Sequence, residues 1–173
     1  MKPFLMLAAV SILALSACAQ NKDDKSKRPS PPATATGKTA GGTTITIDYS
    51  RPSVKGRKIG KDLEPMAGKV WRTGANEATT FEVNKSVKVE GQPLPAGKYS
   101  LFTIDNGNEW TIIFNKTAEQ WGAFKYQQSD DALRVNVKAG KAPSFTEKFT
   151  ITVSNKGKVD ILWGDSDVAF TVE

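Results

Sequence analysis

The chain contains no histidine and a single cysteine, Cys18, among its 173 residues. Without an imidazole there is no Ser-His-Asp triad, no histidine general base and no histidine-ligated zinc or copper site. One cysteine admits no internal disulfide, so packing alone must hold a core. No Ser-x-x-Lys dyad occurs, and no glycine-rich phosphate loop sits between a strand and a helix. Asp130/Asp131 and Asp165/Asp167 are close acidic pairs, but neither fills the twelve-residue pattern of a calcium loop. No metal or cofactor is therefore expected. Long amphipathic stripes are missing as well: no segment of ten or more residues repeats its apolar positions with a helical period. Only Thr117 to Phe124 has the makings of one helical turn.

What is present begins at the N-terminus. Lys2 precedes the apolar run Phe4–Leu15, which has the length of a signal h-region and is too short to span a bilayer. Leu15-Ser16-Ala17-Cys18 closes it. The segment resembles a bacterial lipoprotein signal, and that resemblance implies removal of residues 1–17 and a lipid on Cys18. Several acyl chains on one residue satisfy the multiple-anchor requirement for stable membrane attachment. Ala19 is not the aspartate associated with inner-membrane retention, so the expected address is the cell envelope, at the outer membrane. Lys22-Asp23-Asp24 has two readings: a surface-export signal or a solvated charge cluster. The formal net charge of +6 fits affinity for anionic polymers better than for nucleic acid, since no nucleic-acid module's signature occurs.

Residues 18–42 carry almost no bulky apolar side chain and are interrupted by Pro29, Pro31, Pro32, Gly37, Gly41 and Gly42. Such composition reads as a flexible tether. From Thr43 the period becomes two: Ile45/Ile47/Tyr49, Phe81/Val83, Val87/Val89, Tyr99/Leu101, Trp110/Ile112/Phe114, Leu133/Val135/Val137, Phe149/Ile151/Val153, Val159/Ile161/Trp163 and Val168/Phe170/Val172. This pattern, with turns such as Asn106-Gly107-Asn108 and Asn155-Lys156-Gly157, predicts half-buried strands. Residues 43–173 are read as one all-β domain, an antiparallel β-sandwich, with a closed or partly open β-barrel as the alternative.

Residues 49–77 break the alternation. Cations crowd this stretch, and Gly56, Gly60, Gly68, Gly74, Pro52 and Pro65 shape it. Long irregular connections on a rigid framework are often functional. The functional reading is a ligand pocket. Arg51, Arg57 and Arg72 would fork onto carboxylate or phosphate with Lys55 beside them. Tyr49 and Trp71 would offer flat faces to sugar rings, and Asn76 and Glu77 would meet hydroxyls. The structural reading has Trp71 plugging the core and Arg72 pairing with Glu77 or Asp48. The aromatic run Trp121-Gly122-Ala123-Phe124-Lys125-Tyr126 is read as a loop packed over the end of the core, or else as a cleft wall.

Several longer segments carry a family resemblance: Ile47 to Ile59 (IDYSRPSVKGRKI), Gly68 to Thr80 (GKVWRTGANEATT), Leu94 to Ile104 (LPAGKYSLFTI), Trp110 to Asn115 and Gln120 to Phe124. They resemble signature motifs of the bacterial family known as domain of unknown function 2911, whose members are typically secreted or lipid-anchored. The resemblance implies no catalytic residues. The expected function is a non-catalytic envelope module that binds an anionic or polyhydroxylated ligand, such as a glycan or peptidoglycan fragment, or a protein partner. Two alternatives stand beside it. One is a carboxylate glycosidase or lyase using Glu77 with Asp48 or Glu64. The other is a purely structural or assembly role.

Overall fold

The computed structural model describes residues 24–173; the expected signal segment 1–17, Cys18 and Lys22-Asp23 lie outside them. Among the described residues there is no α-helix. Two 3-10 turns, Lys25–Lys27 and Gln128–Asp130, accompany ten strands. Seven of these form the path of one antiparallel sheet, in the order β1 (Pro32–Lys38), β2 (Thr44–Ser50), β4 (Thr79–Val83), β7 (Gly97–Asp105), β8 (Glu109–Asn115), β9 (Asp131–Val153), β10 (Lys158–Thr171). The short β3 (Val70–Trp71) pairs with β7, and β5 (Val87–Val89) with β6 (Gln92–Leu94) makes a separate ribbon. The all-β antiparallel expectation stands in its partly open barrel form: one sheet curls into a half-barrel.

Strand β9 brings about much of the curl. Its first residues pair with β8, through Lys138 opposite Glu109, and the remainder pairs with β10 from Ala139 opposite Val168. The register with β10 shifts on both sides of Gly164, so Ala142–Phe145 have no direct partners there. Such bulges bend a strand and sharpen its twist. Pro143, which lacks an N–H, falls in that unpaired stretch, where proline is tolerated within a sheet.

The concave face is the core. Phe81, Phe114 and Phe170 meet edge to face or tilted, with centroids 4.9 Å (Phe81–Phe114) and 5.8 Å (Phe114–Phe170) apart. A second aromatic group joins Phe149 to Trp71 at 5.2 Å, Tyr49 at 5.7 Å and Trp163 at 5.9 Å. Edge-to-face contacts of this kind add to the gain from area burial. The convex face carries a smaller cluster of Ala78, Phe102 and Ile113, covered by Ala123 and Tyr126 of the loop after β8. That cover explains why β7 is apolar on both faces at Leu101 and Phe102.

Strand β1 falls inside the stretch whose composition reads as a tether, so the ordered domain begins well before Thr43. Its buried side is built from small residues: Ala35 is buried, and a Cβ on Gly37 would lie 2.6 Å from Val153 Cγ1 and 2.8 Å from Ser154 O. The strand fits because its side chains are small, and that smallness removes the apolar alternation by which strands are recognised. Pro32 occupies its first position, as proline does in edge strands. Ahead of β1, Arg51 N–H donates to Pro31 O at 2.9 Å and Asn76 Nδ2 to Ser30 O at 2.9 Å.

Candidate functional site

The β2–β4 connection lies at the end of the sheet where β2 finishes and β4 begins. It leaves β2 alongside β9: Phe149 N–H donates to Pro52 O and Val54 N–H to Glu147 O, each at 2.9 Å. It reverses at Lys55 and Gly56, which have φ of 48° and 72°. A compact turn follows, in which Lys58 O accepts Asp62 N–H at 2.8 Å and Ile59 bridges Leu63. The chain then crosses Trp163, whose indole N–H donates to Glu64 O at 2.8 Å, and enters β3.

Between this connection and the rim of the half-barrel is a cleft of about 430 Å³. Trp71 and Trp163 line it together with Arg57, Arg72, Asn76, Asp62 and Glu64. The volume suits a small ligand or one end of a polymer. Arg72 is its distinctive residue. Burial pulls the guanidinium pKa down, while the charge of Glu64 opposes that shift. Its Nε is buried and has no hydrogen-bond partner among the described residues. A buried donor without an acceptor is destabilising, and such groups are uncommon in native structures. The backbone after it is strained: Thr73, a buried β-branched residue, has φ 53°, and Asn76 has φ 60°. Thr79 Oγ1 donates to Thr73 O at 2.6 Å, and the Thr73 and Thr103 hydroxyls lie 3.1 Å apart, so the neighbours hold this conformation. Strain that the surroundings enforce marks functional segments more often than ordinary turns.

The eight sequence-derived candidates separate. Arg57, Trp71, Arg72 and Asn76 share the cleft. Trp71 also plugs the core, its indole N–H donating to Gly74 O at 3.0 Å. Tyr49 is buried, and its hydroxyl bonds the backbone of Ile151, accepting from N–H at 3.1 Å and donating to O at 3.3 Å. Arg51 fastens β2 to β9, donating to Phe149 O at 3.0 Å and to Thr150 Oγ1 at 2.7 Å. Lys55 is exposed, and its N–H donates to Glu147 Oε1 at 2.8 Å. Arg57 spends two of its donors on Val54 O (3.1 Å) and Ser53 O (2.7 Å) at the cleft mouth.

Glu77 belongs to a second cavity of about 480 Å³, which Asp48, Lys25, Arg28 and Lys98 also line. Arg28 Nη1 donates to both Glu77 oxygens at 3.0 Å, and Lys25 Nζ lies 2.9 Å from Oε1. Arg72 therefore does not pair with Glu77. Burial raises the Glu77 carboxyl, but hydrogen bonds from Lys25, its own backbone N–H and Arg28 outweigh it and bring the pKa down to about 2. A carboxylate held ionised by two cations is unsuited to donate a proton as a glycosidase acid. Glu64, its other suggested partner, lines the first cleft instead.

The aromatic run after β8 also divides. Tyr126 and Ala123 pack inward, whereas Trp121 and Phe124 project into solvent. Sequence reasoning overlooked Trp163 and Asp62 as cleft residues and the basic pair Lys25/Arg28. Trp163 and the pair Lys25/Arg28 come from segments far along the chain, of which spacing carries no signal, whereas Asp62 lies within the 49–77 loop itself.

The chain is an all-β half-barrel with a loop-built cleft at one end. The chain belongs to the family described as "Protein of unknown function (DUF2911)", whose sequence model matches residues 30–172. No curated protein and no solved structure matches the chain.

Proposed function

We propose that this protein is a non-catalytic, lipid-anchored envelope module whose end cleft binds an anionic, polyhydroxylated ligand of the glycan or peptidoglycan-fragment type. The observation that carries this reading is the half-buried guanidinium of Arg72, which lines the end cleft beside Arg57 and Asn76 and whose Nε has no partner among the described residues. An anionic group supplied by a ligand would pair with that guanidinium through charge-assisted hydrogen bonds. Asp62, Glu64 and Asn76 offer acceptors to sugar hydroxyls, while the buried Trp71 and Trp163 back the cleft wall and are not open for stacking. The Leu15–Cys18 lipobox supports the anchor.

Calorimetric titration with a muropeptide fragment and with oligogalacturonate tests the cleft. Arg72→Ala is expected to weaken binding by roughly tenfold or more, the loss of one charge-assisted hydrogen bond. Arg51→Ala is expected to lower stability and leave affinity per folded molecule unchanged. Equal affinity of wild type and an Arg57→Ala/Arg72→Ala double variant for both probes would reject the arginine-centred site.

A further inference from the structure

We propose that the face bearing Trp121 and Phe124 beds into an anionic phospholipid surface. The reading rests on the lipid anchor for proximity and on its own geometry for the face. Trp121 is 56 % exposed and Phe124 85 % exposed. A rigid turn keeps both rings in water. Trp121 bridges Glu77, Gly122 N–H donates to Asn76 O at 3.1 Å, and Gly122 (φ 64°) lies so close beneath the Phe124 ring that a Cβ there would be 2.9 Å from it. At the base of the turn, Tyr126 meets Phe102 with centroids 5.0 Å apart and donates to Asp131 Oδ2 at 2.7 Å. Two adjacent large rings left mostly in water gain little from folding and point to an interaction surface.

Cations outnumber carboxylates around this face. Arg28 lies 6.0 Å from the Trp121 ring centroid and shares Glu77 with Lys25, Lys27 pairs with Asp24 at 3.3 Å, and Lys125 is exposed, four cations to two carboxylates among these groups. Indole at the headgroup level, an apolar ring below it and lysines against phosphates are the elements of an interfacial contact. Chain length supplies the second argument. Cys18 precedes Asp24 by six residues, which span at most roughly 20 Å in any conformation. A domain of this size has a radius of gyration of about 15 Å, so an anchor at Cys18 keeps the Arg28–Trp121 side toward the bilayer.

The sole thiol makes the test independent of natural acylation. The chain from Cys18 is coupled to maleimide-headgroup lipid in phosphatidylglycerol/phosphatidylethanolamine vesicles. Because Trp71, Trp110 and Trp163 are buried, quenching by lipids brominated near the headgroup reports on Trp121. The expected result is quenched emission and loss of iodide access on the vesicle, both abolished by Trp121→Phe. Phe124→Asp with Lys125→Glu is expected to restore iodide access. Iodide access equal in the coupled and free protein overturns the proposal. So does shielding of Trp121 in lipid-free solution together with a dimer mass in sedimentation, which would assign the face to a second copy. Intact mass of the cell-made protein reads the anchor separately: an unmodified Cys18 would refute the anchor and leave the vesicle result standing.

Discussion

Glu77 and Arg72 sit five positions apart in a segment that reads as one charged loop, yet their chemistry is opposite. Glu77 is saturated by Lys25 and Arg28, whereas Arg72 has a donor with no acceptor among the described residues. The pairing of Glu77 has a consequence for pH. A carboxyl lowered from 4.5 to about 2 in the folded state contributes stability that is full above the unfolded value. That contribution fades as pH falls from about 4.5 toward 2. Glu77→Gln is expected to lose about 1 kcal/mol at pH 7, a figure reduced for partial solvent screening. The difference from wild type should vanish near pH 2 in chemical denaturation; a constant gap across that window would show that the ion pair does not carry it. Residue type alone did not distinguish these two roles. Arginine and glutamate in a loop announce a charge, and only the fold shows whether that charge is already neutralised.

At the scale of elements, β2, β4 and β5 were legible because each alternates bulky apolar with polar side chains, and β7 and β8 because Tyr99/Leu101 and Trp110/Ile112/Phe114 keep that period although Phe102 and Ile113 add apolar side chains on the other face. The long pair β9/β10 was legible only at its ends. Between Lys138 and Lys148 the alternation lapses across Gly140 and Pro143, so two short strands are expected where one bent strand runs, and the bulge opposite Gly164 is the reason. Strands β3 and β6 are too short to show a period. The β9–β10 turn is fixed by close backbone approach. Gly157 has φ 79°, and a Cβ on it would lie 1.9 Å from Val172 O. Gly157→Ala is accordingly expected to lower unfolding free energy by about 3 kcal/mol or more, since strain and clash combine. A loss under about 1 kcal/mol in urea denaturation would mean that the turn and the C-terminal strand relax independently.

For the molecule as a whole, all-β character followed from pattern, but the first strand, β1, did not. Segment 24–38 reads as tether because β1 uses alanine and glycine where other strands use valine and isoleucine. Its removal exposes the edge of β2 and takes away the partners of Glu77 and Asn76. A chain starting at Asp24 is expected to melt at the temperature of one starting at Cys18. A chain starting at Thr43 should be unfolded or lower by about 2 kcal/mol or more, from lost hydrogen bonds and pairing. Calorimetry on the three decides it; equal melting of all three would return 24–42 to the tether.

The clamp of Lys25 and Arg28 on Glu77 also has a mechanical side. A pull on the N-terminus, such as thermal motion of an anchored molecule would exert, meets these ion pairs before it reaches the β1–β2 ladder. They would act as a sacrificial link that yields and re-forms while the sheet stays intact. In single-molecule stretching from Cys18, this predicts a small reversible event ahead of the main rupture, absent in Glu77→Gln.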